Sequence, residues 1–141
     1  MDFKISNSYL SFKTSSETDI IDITAQVDRK VAESGVTDGQ VVIFVPGSTA
    51  AVTTVEYESG VVRDLKEAIE RLVPTGILYR HDAKWGDGNG YAHVRAALLG
   101  PSLAVPLVNS RLMLGTWQQI VLVDFDNKPR ERKVLVSISG S

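Results

Sequence analysis

The sequence predicts an α+β fold, a mostly antiparallel β sandwich carrying two main helices. Three observations point there. Runs of β-branched and aromatic residues recur along the chain, at residues 41–45, 50–55, 102–108, 119–125 and 133–139. Only two long helical patterns interrupt them, at residues 24–34 and 60–73. Asp126-Asn127-Lys128-Pro129 then reads as the turn of a closing hairpin. A length of 141 residues suits one domain, residues 1–141, and no linker, repeat or low-complexity stretch divides it.

Taken in order, residues 2–14 alternate loosely through Phe3, Ile5, Tyr9 and Phe12, which predicts strand pairing. The helix over 24–34 is expected to be capped by Thr24, to bury Val27 and Val31, and to stop at Gly35. The run 41–45 ends at Pro46 and reads as a buried strand; a second strand follows the Pro46-Gly47-Ser48 break. The helix over 60–73 shows Val61, Val62, Leu65, Ala68, Ile69 and Leu72 in one apolar stripe. Lys66–Glu70 and Glu67–Arg71 are expected to pair on its solvated face, and Pro74 ends it. A short helix or turn over 91–99 stops at Gly100-Pro101, and strand signals then run to residue 139, including 112–114.

Composition excludes several function classes. With no cysteine, disulfide scaffolds, cysteine-ligated zinc, iron–sulfur clusters and thiol nucleophiles are ruled out. A net charge of −2 with 23% charged residues argues against a nucleic-acid partner and against disorder. The longest strongly apolar run is residues 41–45, too short for a membrane span, and the start resembles no secretory leader, so a cytoplasmic protein without membrane partners is expected.

Chemistry concentrates in residues 79–95. Both histidines, His81 and His93, lie there with Asp82, Asp87, Asn89, Arg80, Arg95 and the glycines 86, 88 and 90. Glycines admit close backbone approach, and Asp, His and Arg supply proton transfer, metal ligation and anion pairing. Read structurally, the same stretch is a polar loop with tight bends at Asp87-Gly88 and Asn89-Gly90. It matches neither a dinucleotide loop, nor a P-loop, nor a calcium loop, and the histidines are twelve apart rather than at the helical zinc spacing. Two histidines with a carboxylate can still ligate a divalent metal if the loop folds back.

Three further segments carry polar groups. Ser48 and Thr49 follow a strand, and their turn can bind phosphate in a backbone nest or be an ordinary hydroxyl-rich turn. Glu56 and Glu58 flank Tyr57 and can serve as general base or metal ligand, or simply face solvent. Gln118, beside Trp117, is suited to orienting a ligand in a pocket. A Ser48–His81–Asp87 triad can be written but lacks a nucleophile elbow.

The segment from Gly90 to Ser102, Pro106, and Arg111-Leu112-Met113-Leu114-Gly115-Thr116-Trp117-Gln118 resemble the YjbQ-like family, also called secondary thiamine-phosphate synthases. Pro46-Gly47-Ser48-Thr49-Ala50-Ala51-Val52 and Tyr79-Arg80-His81 fit the same order. The likeness implies a compact α+β sandwich, a homotrimer, and weak thiamine-phosphate synthase activity on small phosphorylated molecules. It implies that His81 and His93 are metal ligands or acid/base groups, with Asp87 and Asn89 on the loop between them, Arg95 pairing an anionic substrate and Gln118 orienting it. A divalent metal, magnesium or zinc, is the cofactor it implies. The chain departs from the family pattern at Gly47 and Tyr91, where histidines are common. Two histidines cannot make a three-histidine site. Either Glu56 or another carboxylate completes a metal shell with His81 and His93, or Ser48, Thr49 and Arg95 bind phosphate without metal. Three functions follow: the transferase, a non-catalytic binding or regulatory module, and a metal-dependent hydrolase.

Overall fold

The computed structural model describes residues 2–141. Among them the chain forms eight strands and four helices, in the order β1 (Lys4–Thr14), β2 (Asp19–Asp22), α1 (Thr24–Ser34), β3 (Gly39–Phe44), β4 (Ala50–Glu56), α2 (Ser59–Leu72), α3 (Arg80–Trp85), α4 (Gly90–Leu99), β5 (Ser102–Val108), β6 (Arg111–Leu112), β7 (Gln118–Asp124) and β8 (Arg130–Gly140). The strands make two sheets, ordered β1-β8-β3-β5-β6 and β2-β7-β4. Every pair is antiparallel. The expected α+β sandwich is the architecture found.

Alternation decides which face each strand buries. On β8, Val134, Val136 and Ile138 point inward, and on β3, Val41 and Ile43 do. They meet Ala50, Val52, Ile120 and Leu122 of the three-stranded sheet and Val27 and Val31 of α1 in one core. The opposite faces of β4 and β7 carry Ala51, Val121 and Val123, which pack against Ile69 of α2 and Ala92 and Ala96 of α4 in a second core. This explains why residues 120–123 are apolar at every position: β7 is buried on both faces.

Helix α1 ends as expected, with Gly35 left-handed at φ 71°. Its start differs. Ile23 occupies the N-cap, and Thr24 turns its hydroxyl to Asp22 Oδ1 (2.7 Å) while accepting the Ile120 N–H (2.8 Å). Helix α2 is capped by Glu58, whose carboxylate accepts from the Gly60 and Val61 amides. Those amides pull its pKa below the usual carboxylate value. The outer-face pairs also differ: Glu67 meets Arg63 at 3.5 Å, and Glu70 leaves that face for Arg95.

One sequence expectation about a connection is corrected. The 126–129 turn closes no hairpin, because β7 and β8 belong to different sheets. It is a crossover between layers, held by the buried Asp124 carboxylate, which accepts the Asp126 N–H at 3.0 Å. The tight hairpin is β5–β6, where Asn109 and Ser110 both take positive φ, 51° and 65°.

Candidate functional site

Helix α3 is six residues long and buries none of them. Its position comes from the segment after it. Gly90, the first residue of α4, lies so close to Tyr79 that a Cβ there would stand 2.5 Å from the Tyr79 Cβ. Its amide donates to Asp82 Oδ1 at 2.8 Å. This packing folds residues 79–93 back on themselves and sets the His81 and His93 rings 4.3 Å apart, tilted by 42°. His81 Nδ1 lies 3.3 Å from Asp82 Oδ1 and 3.4 Å from Asp87 Oδ1.

Facing them is the turn between β3 and β4. Gly47 there adopts φ 117°, and a Cβ on it would come 3.1 Å from Arg132 Nη1. The missing side chain leaves one edge of that guanidinium open. Its other edge is occupied: Nε and Nη2 donate to Asp124 at 2.8 and 2.9 Å, and Nη2 also reaches Thr49 Oγ1 at 2.6 Å. Asp126 repeats the arrangement one residue pair away. Its carboxylate accepts from Arg130 Nε (2.8 Å), Asn89 Nδ2 (3.1 Å) and Thr49 Oγ1 (3.2 Å). Burial alone would raise the Asp126 pKa, but the Asn89, Asn127 and Arg130 contacts outweigh it and pull it down to about 2.

These groups line one cavity of about 430 Å³, with Ser48, Thr49, Asp87, Asn89 and both histidines on its walls, and Trp85 beside them. Its size is that of a small-molecule pocket. One buried polar side-chain atom, Asn89 Oδ1, has no hydrogen-bond partner among the described residues. His81, Asp82 and Asp87 offer one donor atom each within 4.8 Å of one another, a mixed nitrogen and oxygen set that fits a divalent cation.

Six of the sequence-predicted site residues therefore meet: Ser48, Thr49, His81, Asp87, Asn89 and His93. Three others lie elsewhere. Arg95 is 3% exposed and faces away from the cavity, because it is two positions from His93 on α4. Its guanidinium donates to the Val73 carbonyl, Thr18 Oγ1 and Glu70. Glu56 ends β4, six residues beyond Ala50, a distance of about 20 Å along the strand. It joins no metal shell with His81 in one chain. Gln118 sits opposite Glu56 in the sheet, donating to Thr54 Oγ1 and accepting from the Gly115 amide. Reasoning from sequence missed Asp126, Arg130 and Arg132. An acidic residue followed four later by an arginine, as at Asp126 and Arg130, was the available signal.

A two-layer sandwich with a His/Asp cluster opposed by paired arginines defines a small α+β protein with a polar, anion-compatible cleft. The chain belongs to the YjbQ family: residues 8–141 match the family described as UPF0047 protein YjbQ-like. A UPF0047 protein of Archaeoglobus fulgidus is 44% identical over 127 residues, covering 90% of this chain and 96% of that one. The UPF0047 protein YugU of Bacillus subtilis is 33% identical, covering 93% and 97%. Among solved structures, a YbjQ-like protein of unknown function from Sulfolobus solfataricus superposes with a TM-score of 0.94 at 33% identity, over 99% of this chain and all of that one. A YjbQ/UPF0047 protein of Clostridium acetobutylicum gives 0.86 at 41% identity, over 93% and 98%.

Proposed function

We propose that this cleft belongs to a phosphate-handling transferase of the thiamine-phosphate synthase type, joining a hydroxymethylpyrimidine diphosphate to a thiazole phosphate. The observation that supports it is the gathering of two kinds of group around one cavity: His81, His93 and Asp87, and with them Arg130, Arg132 and the Ser48-Thr49 turn. In this reaction the thiazole ring nitrogen donates its lone pair to the pyrimidine methylene carbon. The carbon–oxygen bond to diphosphate breaks, its electrons leave on the diphosphate, and a thiazolium forms. No proton is lost from the ring, so the work of the site is to hold two substrates in line and to stabilise the departing anion.

The residues divide that work. Arg130 and Arg132, each anchored by a buried aspartate, hold guanidinium groups ready for the diphosphate without reorganisation. Ser48 and the amides of its turn add hydrogen bonds. An imidazole N–H of His81 or His93 donates to the leaving oxygen. A magnesium or zinc ion held by His81, Asp82 and Asp87 would neutralise diphosphate charge as a Lewis acid.

Incubation with the two substrates, followed by chromatography of the product, tests the reading. Product formation by the wild-type protein, falling at least tenfold in His81→Ala and Arg130→Ala, is expected. Equal turnover in the parent and both variants would sink it. Calorimetric binding of both substrates with no product would mark a binding module instead.

A further inference from the structure

A second hollow of about 250 Å³ adjoins the polar cavity and shares Gly47, Ser48 and His93 with it. Its own walls are Ala50, Ala96, Ala97 and Pro101. These side chains offer methyl and ring carbons and no hydrogen-bonding group. His93 stands at the seam. The polar half is built from charged groups, and its buried Asn89 Oδ1 lacks a donor.

We infer that the cleft sorts the two substrates by chemistry: the apolar slot holds the ring of the thiazole phosphate, and the polar half holds the aminopyrimidine diphosphate. This rests on the functional reading above and goes one step further. An alkylated thiazole has no N–H donor and can be recognised by shape alone, which is all that three alanines-and-proline walls supply. An aminopyrimidine placed in the same slot would meet no acceptor on its alanine and proline walls, the only polar groups being Ser48 and His93 at the seam. In the polar half, Asn89 supplies the missing acceptor and the arginines face the diphosphate. The two rings then approach at the seam, beside His93, where the new carbon–nitrogen bond forms. Ala97 is the specificity-determining position. It is exposed on α4, so a larger helix-compatible side chain there fills the slot without disturbing a core.

The test measures calorimetric affinity of the intact protein for two probes used separately, 4-methyl-5-hydroxyethylthiazole phosphate and inorganic pyrophosphate. Ala97→Leu is expected to weaken the thiazole phosphate at least tenfold and to leave pyrophosphate within twofold of wild type. Ala97→Ser, which keeps the volume, should bind both as the parent does. Unchanged thiazole phosphate affinity in Ala97→Leu would overturn the slot, as would equal weakening of both probes. Two failures are told apart by the parent protein. If it forms product while Ala97→Leu binds normally, the slot alone is wrong; if it binds neither probe and forms no product, the functional reading falls and takes the slot with it.

Discussion

Asp126 is read from sequence as a turn residue, yet its 1% exposed carboxylate is shared among Asn89, Thr49, Arg130 and the Asn127 amide. Nothing in one dimension places Asn89 or Thr49 beside it, because the β4–β7 pairing and the α4 packing make that meeting. The histidines were legible for the opposite reason: a chain with two of them, twelve apart among glycines, advertises the pair. The Asp126 charge also sets an acid limit. Its folded pKa, about 2, lies below the unfolded value of about 3.9, so its contribution is complete above roughly pH 4 and is lost as pH falls toward 2. Asp126→Asn should cost about 3 kcal/mol at pH 7, since it removes the charge paired with Arg130 and replaces one of two acceptor oxygens by an NH2 group. Urea melts at pH 7 and at pH 2.5 check this: the gap between variant and parent should shrink in acid. A constant gap would show that the carboxylate charge is not what stabilises the crossover.

Helix α4 and its neighbours show the same division one scale up. The apolar stripe of α2 and the Gly35 stop of α1 are local signals, and both helices lie within a residue or so of where those signals put them. Helix α3 carries no stripe, since six residues with none buried have no face to mark, so it hides inside a polar, glycine-rich segment. Strand β2 is four residues long and was equally silent. Arg95 belongs at this scale too. It ties α4 to the C-terminus of α2 through the Val73 carbonyl (3.0 Å from Nε) and Glu70, and its guanidinium lies 5.0 Å over the Tyr91 ring. Burial and the neighbouring Glu17 push the Tyr91 hydroxyl up to about 12, so that it stays a donor to Glu17 across the working range. Arg95→Met should therefore lower stability by about 3 kcal/mol in chemical denaturation, mainly through the orphaned carbonyl and carboxylate. Pyrophosphate affinity of the folded variant should stay within twofold of wild type. A large loss of affinity without loss of stability would return Arg95 to the site.

At the scale of the whole molecule, the helices and the small sheet all cover one side of the five-stranded sheet. Its other side displays Ile5 and Tyr9 of β1, Phe44 of β3 and Val108 of β5, all exposed, with Tyr9 and Phe44 flanking Leu135 of β8. A homotrimer, which the family resemblance implies and which we propose for this chain, has in this face the apolar surface an assembly needs. Light scattering on a sizing column should then give three times the 15.4 kDa chain mass, and Tyr9→Glu should shift it toward one chain. An unaltered trimer in that variant would place the interface elsewhere. Among the described residues no helix is long and apolar enough to cross a membrane.

The strand order carries a consequence in time. In the five-stranded sheet, β8 lies between β1 and β3, with Lys4 paired to Gly140 and Phe44 to Leu135. During synthesis β1 and β3 emerge long before the strand that joins them, and neither can complete its ladder until residues 130–140 leave the ribosome. The same late strand delivers Arg130 and Arg132 to the cleft. Sheet closure and assembly of the anion-facing wall are thus one event and, with contacts this distant in sequence, a slow one.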